Sequence, residues 1–167
     1  PTGNLREPRA GAKRAQVIVV TKCPDQMSGL EKTAISKRLH PESNQAVFFS
    51  SIQYSETLKS STSSRALTDL KGIPFTLVTG IANPKPLVSY LSEMGLDFEH
   101  LNYKDHHEFS KSELDIIHSK SLVVTTEKDF SRLNADVKDQ IYYLPIQLKI
   151  DNASDFEHLV ETYVEEF

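Results

Sequence analysis

The sequence predicts an α/β fold built from two α/β units, each a mostly parallel sheet with flanking helices. Two features point there. Apolar, β-branched runs of strand length alternate with stretches of helical pattern, which is the signature of parallel strands joined by crossover helices. A Ser/Thr-rich, weakly apolar stretch, "SETLKSSTSSRALTDLKG" from Ser55 to Gly72, separates two such alternating regions and is expected to be a linker.

In chain order, residues 1–14 are rich in Arg, Pro and Gly and read as an irregular segment. "AQVIVVTK" (Ala15 to Lys22) is a buried strand. "SGLEKTAISKRLH" follows as a helix, with Leu30, Ala34 and Leu39 along one face and Pro41 closing it. "AVFFSSIQY" (Ala46 to Tyr54) completes a βαβ unit. The second unit opens with the strand "IPFTLVTG" (Ile73 to Gly80). "NPKPLVSYLSEMG" is next, a helix with Asn83 at its cap, Pro early and Gly95 at its end. "DFEHLNY" is a strand, and "SKSELDIIHS" a helix whose Ser110 and Glu113 form a capping box. "SLVVTTEKD" is a strand leading into a short helix, and "IYYLPIQLKI" the last strand. The closing helix "NASDFEHLVETYVEEF" carries an apolar stripe of Phe156, Leu159, Val160 and Val164.

Composition narrows the function. The 167 residues carry a net charge of -4, which does not suggest a nucleic-acid-binding surface. A single cysteine, Cys23, allows neither an internal disulfide nor a cysteine-based zinc site. No apolar run approaches the ~18 residues of a membrane-spanning helix. The chain opens on Pro1-Thr2-Gly3 without a Met, a loop-like start expected of a piece cut from a longer protein.

Five stretches are candidates for chemistry. "SGLEKTA" contains Gly29, Lys32 and Thr33, but a phosphate-binding loop needs Gly directly before the Lys, and Glu31 stands there. It reads as a surface helix. "LREP" presents Arg6 and Glu7 on a rigid turn. Arg can clamp phosphate oxygens and Glu can reach Mg²⁺, although a surface ion pair has the same appearance. "TGIANP" (Thr79 to Pro84) joins a strand to a helix N-terminus, where backbone amides attract anions. "YKDHHEFS" places Asp105, His106 and His107 at the end of a strand, where ligands bind in open α/β sheets. A carboxylate beside an imidazole can serve acid–base chemistry, with catalytic, structural and metal roles all open. "TTEKD" puts Thr126, Glu127, Lys128 and Asp129 at another strand end, in a first helical turn where the helix dipole favours acids.

The order "LREP", "RAQVIVVTK", "GIANP", "DHH", "TTEKD", "YYLPI" resembles the C-terminal half of the tetraacyldisaccharide 4'-kinases, the lipid A kinases, over nearly the whole chain. The resemblance implies a P-loop-type kinase fold fragment at residues 1–55, a linker at 56–72 and a C-terminal α/β domain at 73–167. It implies transfer of the ATP γ-phosphate to the 4'-hydroxyl of an acylated glucosamine disaccharide at the cytoplasmic face of the bacterial inner membrane. ATP and Mg²⁺ would be held mainly by an N-terminal part outside this chain, which would also make the membrane contact. Arg6 and Glu7 would lie close to the nucleotide. A histidine of the triplet, His106 in preference to His107, would pair with a catalytic Asp of the N-terminal part and help deprotonate the sugar hydroxyl, with Asp105 orienting an imidazole. The "TEKD" residues would stabilise the second unit or line the cleft. No metal ligands are assigned, and this half alone is expected to be inactive.

Two other readings compete. Phosphoesterases named for an Asp-His-His motif share the triplet, but they need further aspartates to hold two metals, and Asp25, Asp69 and Asp97 are isolated. A non-catalytic binding module is the other, and an absent phosphate loop would favour it if the chain were complete.

Overall fold

The computed structural model describes residues 8–133 and 140–165. The chain divides into two compact units. One comprises residues up to Gln53 together with those from Gln147 onward; the other runs from Tyr54 to Ile146.

The first unit is built on β1 (Val17–Cys23) and β2 (Ala46–Tyr54), parallel and in register from Val17 opposite Ala46 to Val20 opposite Phe49. The connecting helix α1 (Gly29–Leu39) starts at Ser28, whose hydroxyl accepts from the Glu31 amide while Glu31 accepts from the Ser28 amide. Glu31 is thus a cap, and this hydrogen bonding holds its carboxyl below the usual carboxylate range. The anticipated apolar face of α1 is not covered. Leu30 is 85% exposed and Leu39 also lies open.

β9 (Ile146–Ile150) is the third strand of this sheet, on the far side of β2 from β1. α5 (Ala153–Glu165) follows it and packs Phe156 edge-on against Phe48. Leu159 is half-buried, whereas Val160 and Val164 of the expected stripe are exposed. The end of the chain therefore belongs with the first unit, not with a domain 73–167.

Pro145 accounts for that difference. "IYYLPIQLKI" reads as one strand, but a proline has no N–H to give a ladder. The run breaks there into β8 (Ile141–Leu144) and β9, which join different sheets.

The second unit is a six-stranded sheet in the order β4-β3-β8-β7-β5-β6. β5 (Phe75–Thr79) is parallel to both β6 (Phe98–Asn102) and β7 (Val123–Thr126), and β7 is parallel to β8. At the other edge β3 (Thr57–Lys59) and β4 (Ser64–Ala66) form an antiparallel hairpin. The stretch 56–72 is consequently not a linker. Its serines make the turn, with the Ser60 hydroxyl accepting from the Ser63 amide, and Leu58, Leu67 and Leu70 are fully buried. A composition dominated by Ser and Thr hid three core leucines.

Side chains alternate across the sheet with period two. Leu77 and Val124 face one core with Leu87 and Leu91 of α2 (Lys85–Glu93). Val78 and Val123 face the other, with Ile117 of α3 (Lys111–His118). The start of α2 differs from expectation: Pro84 is its cap residue and no side chain caps it, so Asn83 lies outside. Its end is as read, with Gly95 at φ 72, where a side chain would be strained. α3 carries the expected Ser110–Glu113 capping box.

Candidate functional site at the strand ends of the second unit

Chain connections leave β5 toward β6 on one side and then return to β7 on the other. The carboxyl ends of β5 and β7 thus flank a topological switch point, the place where open α/β sheets bind ligands. Three loops meet there: Gly80 after β5, Tyr103 to Phe109 after β6, and α4 (Glu127–Phe130) after β7.

The two neighbouring histidines have opposite environments. His107 is the more enclosed one, its side chain 18% exposed. Its ring stacks on Tyr103 at 4.8 Å and meets Phe109 edge-on at 5.1 Å. Its Nε2 lies 3.1 Å from both carboxylate oxygens of Glu113 and donates to them. Glu113 also accepts from the Ser110 amide and hydroxyl. Those bonds to Ser110, followed by the one to His107, pull its carboxyl down to about 2. His107 thereby anchors the loop to α3.

His106 projects outward, its side chain 76% exposed. Its backbone is left-handed, at φ 57, a conformation that costs a non-glycine residue on the order of 1 kcal/mol. Its amide is held by the Gly80 carbonyl at 3.2 Å and the Asp105 carboxylate at 3.1 Å. Lys128 Nζ reaches Asp105 Oδ1 at 3.0 Å and His106 Nε2 at 3.3 Å. An ammonium only donates, so Nε2 accepts, and the neutral ring carries its proton on Nδ1. Asp105 Oδ2 is 3.8 Å from Nε2. The hydrogen bond from Lys128 is the main reason that the Asp105 carboxyl lies below its ordinary value.

The "TTEKD" residues divide in the same way. Thr126 caps α4, accepting from the Asp129 amide. Glu127 is exposed, and Lys128 faces Asp105 and His106. Asp129 is fully buried; its Oδ2 accepts from the Gly80 amide at 2.8 Å and from the Thr126 hydroxyl at 2.7 Å. A Cβ on Gly80 would stand 3.0 Å from Asp129 Oδ1, so glycine is what lets the two segments approach this closely.

Sequence reasoning missed Arg132, whose guanidinium contacts Asp129 Oδ1 at 3.1 Å and donates to the His107 carbonyl at 3.3 Å. It also missed a trio beside the loop. Thr79 Oγ1 donates to Asn102 Oδ1 and lies 2.8 Å from His100 Nε2. With that hydroxyl proton committed, His100 Nε2 is the donor, and burial lowers the pKa of this ring. Neither set stands in a recognisable motif; the first ties the end of α4 to the β6–α3 loop, and the second joins the neighbouring strands β5 and β6.

Arg6 and Glu7 lie outside the described residues. Among the described residues no group of three or more His, Cys, Asp or Glu could hold a metal ion. Nor is any described helix long and apolar enough to cross a membrane.

A mostly parallel sheet with an exposed His–Asp–Lys cluster at its switch point defines the class: an α/β protein with a candidate site at its strand ends. The family Tetraacyldisaccharide-1-P 4'-kinase matches residues 1–165, and the chain belongs to that family. Among similar proteins are the tetraacyldisaccharide 4'-kinases of Flavobacterium johnsoniae, 37% identical over 99% of the chain, and of Bacteroides thetaiotaomicron, 33% identical over 99%. The chain spans about half the length of each, 50% in both cases. A crystal structure of LpxK from Aquifex aeolicus in complex with ATP superposes with a TM-score of 0.62 at 17% identity, over 97% of this chain and 47% of that one. This last likeness speaks for the fold.

Proposed function

We propose that the chain is the C-terminal half of a tetraacyldisaccharide 4'-kinase, which transfers the ATP γ-phosphate to the 4'-hydroxyl of an acylated glucosamine disaccharide 1-phosphate. The observation that carries this reading is the family match over residues 1–165, joined to an exposed His106 at the carboxyl end of β6.

The described residues supply neither a phosphate-wrapping glycine loop nor a metal-ligand cluster, so ATP and Mg²⁺ are assigned mainly to the half of the relatives that this chain does not span. Arg6 and Glu7 are the candidates this chain adds beside the nucleotide. Phosphoryl transfer asks the protein for positioning and charge stabilisation. His106 would accept the proton of the attacking hydroxyl at Nε2, in concert with a carboxylate of the other half. Asp105, 3.8 Å away, would stabilise the imidazolium that forms. The Lys128 ammonium, now on the Nε2 lone pair, would turn to the negative charge of the transferring group. His107 would hold the loop.

The enzyme would work at the cytoplasmic face of a Gram-negative inner membrane, with membrane contact made by the other half; α5 carries Glu157, Glu161 and Glu165, which anionic lipid would repel. The test is transfer of labelled phosphate from ATP to tetraacyldisaccharide 1-phosphate by the full-length protein. Product is expected there and not from residues 1–167 alone. Turnover by residues 1–167 would contradict the division of labour.

A further inference from the structure

Four links close a ring around the His106–His107 peptide. The His106 amide donates to the Gly80 carbonyl. The Gly80 amide donates to Asp129 Oδ2. Asp129 Oδ1 faces Arg132 Nη2 at 3.1 Å, and Arg132 Nη1 donates to the His107 carbonyl at 3.3 Å. The peptide that sets the direction of the His106 ring is therefore gripped at its preceding N–H and at the following C=O.

The grip has work to do. His106 sits in a left-handed conformation that its own side chain disfavours, so the surroundings must over-determine it. Arg132 is suited to this by geometry. Its planar fork sends Nη1 to the β6–α3 loop, Nη2 to Asp129 and Nε to the Lys128 carbonyl at 3.4 Å, three directions from one rigid group. Asp129 Oδ1 and Arg132 Nη2 are buried and make no aligned hydrogen bond among the described residues, so the contact between them is ionic. A charge on either side left without the other would be costly.

We propose that Arg132 is a positioning residue for His106, acting with buried Asp129 to fix the left-handed turn that aims the imidazole. The inference rests on the kinase reading for its catalytic consequence, and on geometry alone for its structural one. It assigns Arg132 no contact with substrate.

The test is a double-mutant cycle in the full-length enzyme. Arg132→Met should lower kcat by about 10- to 100-fold, with KM for ATP within about twofold of wild type. In a His106→Ala background the same change should lower kcat by no more than about twofold, because a positioning residue has nothing left to position. An undiminished kcat in Arg132→Met would overturn the proposal, as would an equal loss in both backgrounds. If Arg132→Met does not fold, Arg132→Lys is carried through the same cycle with the same criteria. His106→Ala with wild-type kcat would instead defeat the kinase role of His106. The positioning claim would then be read from amide hydrogen exchange. Faster exchange at His106 in Arg132→Lys, with Val78 and Val124 unchanged, supports it; unchanged exchange at His106 overturns it.

Discussion

The left-handed turn at His106 sends one ring outward while the next folds between Tyr103 and Phe109. Substitutions should separate the two by kind of effect. His107→Ala removes a stacked ring and leaves Glu113 short of a partner, so it should destabilise the second unit by about 1–3 kcal/mol, read from denaturant midpoints. His106→Ala removes an exposed ring and should leave that midpoint within about 0.5 kcal/mol. Gly80→Ala should cost about 1–3 kcal/mol, since its methyl would press on buried Asp129. At this scale the sequence supplied the residue types and their order. It did not tell which imidazole is free, because that depends on a φ angle and on Glu113, six residues away. Asp129 read as a helix-dipole acid; it is a buried bracket for Gly80, a role visible only once β5 and β7 are adjacent.

Among the elements, α3 was the most legible, since Ser110 and Glu113 announce its start at fixed spacing. That cap also carries a pH dependence. The Glu113 carboxyl is lower in the folded state than its ordinary 4.5, at about 2, so its contribution is fully present above pH 4.5 and disappears as pH falls toward 2. The stability difference between wild type and Glu113→Gln should therefore narrow across that interval; thermal melts between pH 7 and pH 2 measure it. The hairpin β3–β4 was the least legible. Its turn serines outweigh the leucines in any composition window, and burial of Leu67 was invisible without β8 beside β3. Leu67→Ala should cost about 2–5 kcal/mol by calorimetry, whereas the same change in a surface linker would cost almost nothing.

For the chain as a whole, βαβ alternation and parallel pairing followed from hydrophobic pattern, whereas the two units were read from the Ser/Thr-rich stretch 55–72, which lies inside the second unit and not between the two. The return of β9 and α5 to the first unit did not follow, because β9 pairing is set by a break at Pro145 that local propensity does not translate into a choice of sheet. Deleting residues 146–167 should expose one side of β2 and make the β1 and β2 amides exchange faster. The amides of β5 and β7, which lie within their own sheet, should keep their protection. Hydrogen exchange with peptide resolution reads both outcomes. The central claim is that this chain supplies the acid–base half of a lipid kinase through His106. Its most direct measurement is kcat for phosphoryl transfer from ATP to tetraacyldisaccharide 1-phosphate by full-length wild type, His106→Ala and His107→Gln. The account predicts a loss of about 10²- to 10⁴-fold for His106→Ala and less than about tenfold for His107→Gln. A His106→Ala enzyme as fast as wild type, or the reverse ranking of the two variants, would contradict it.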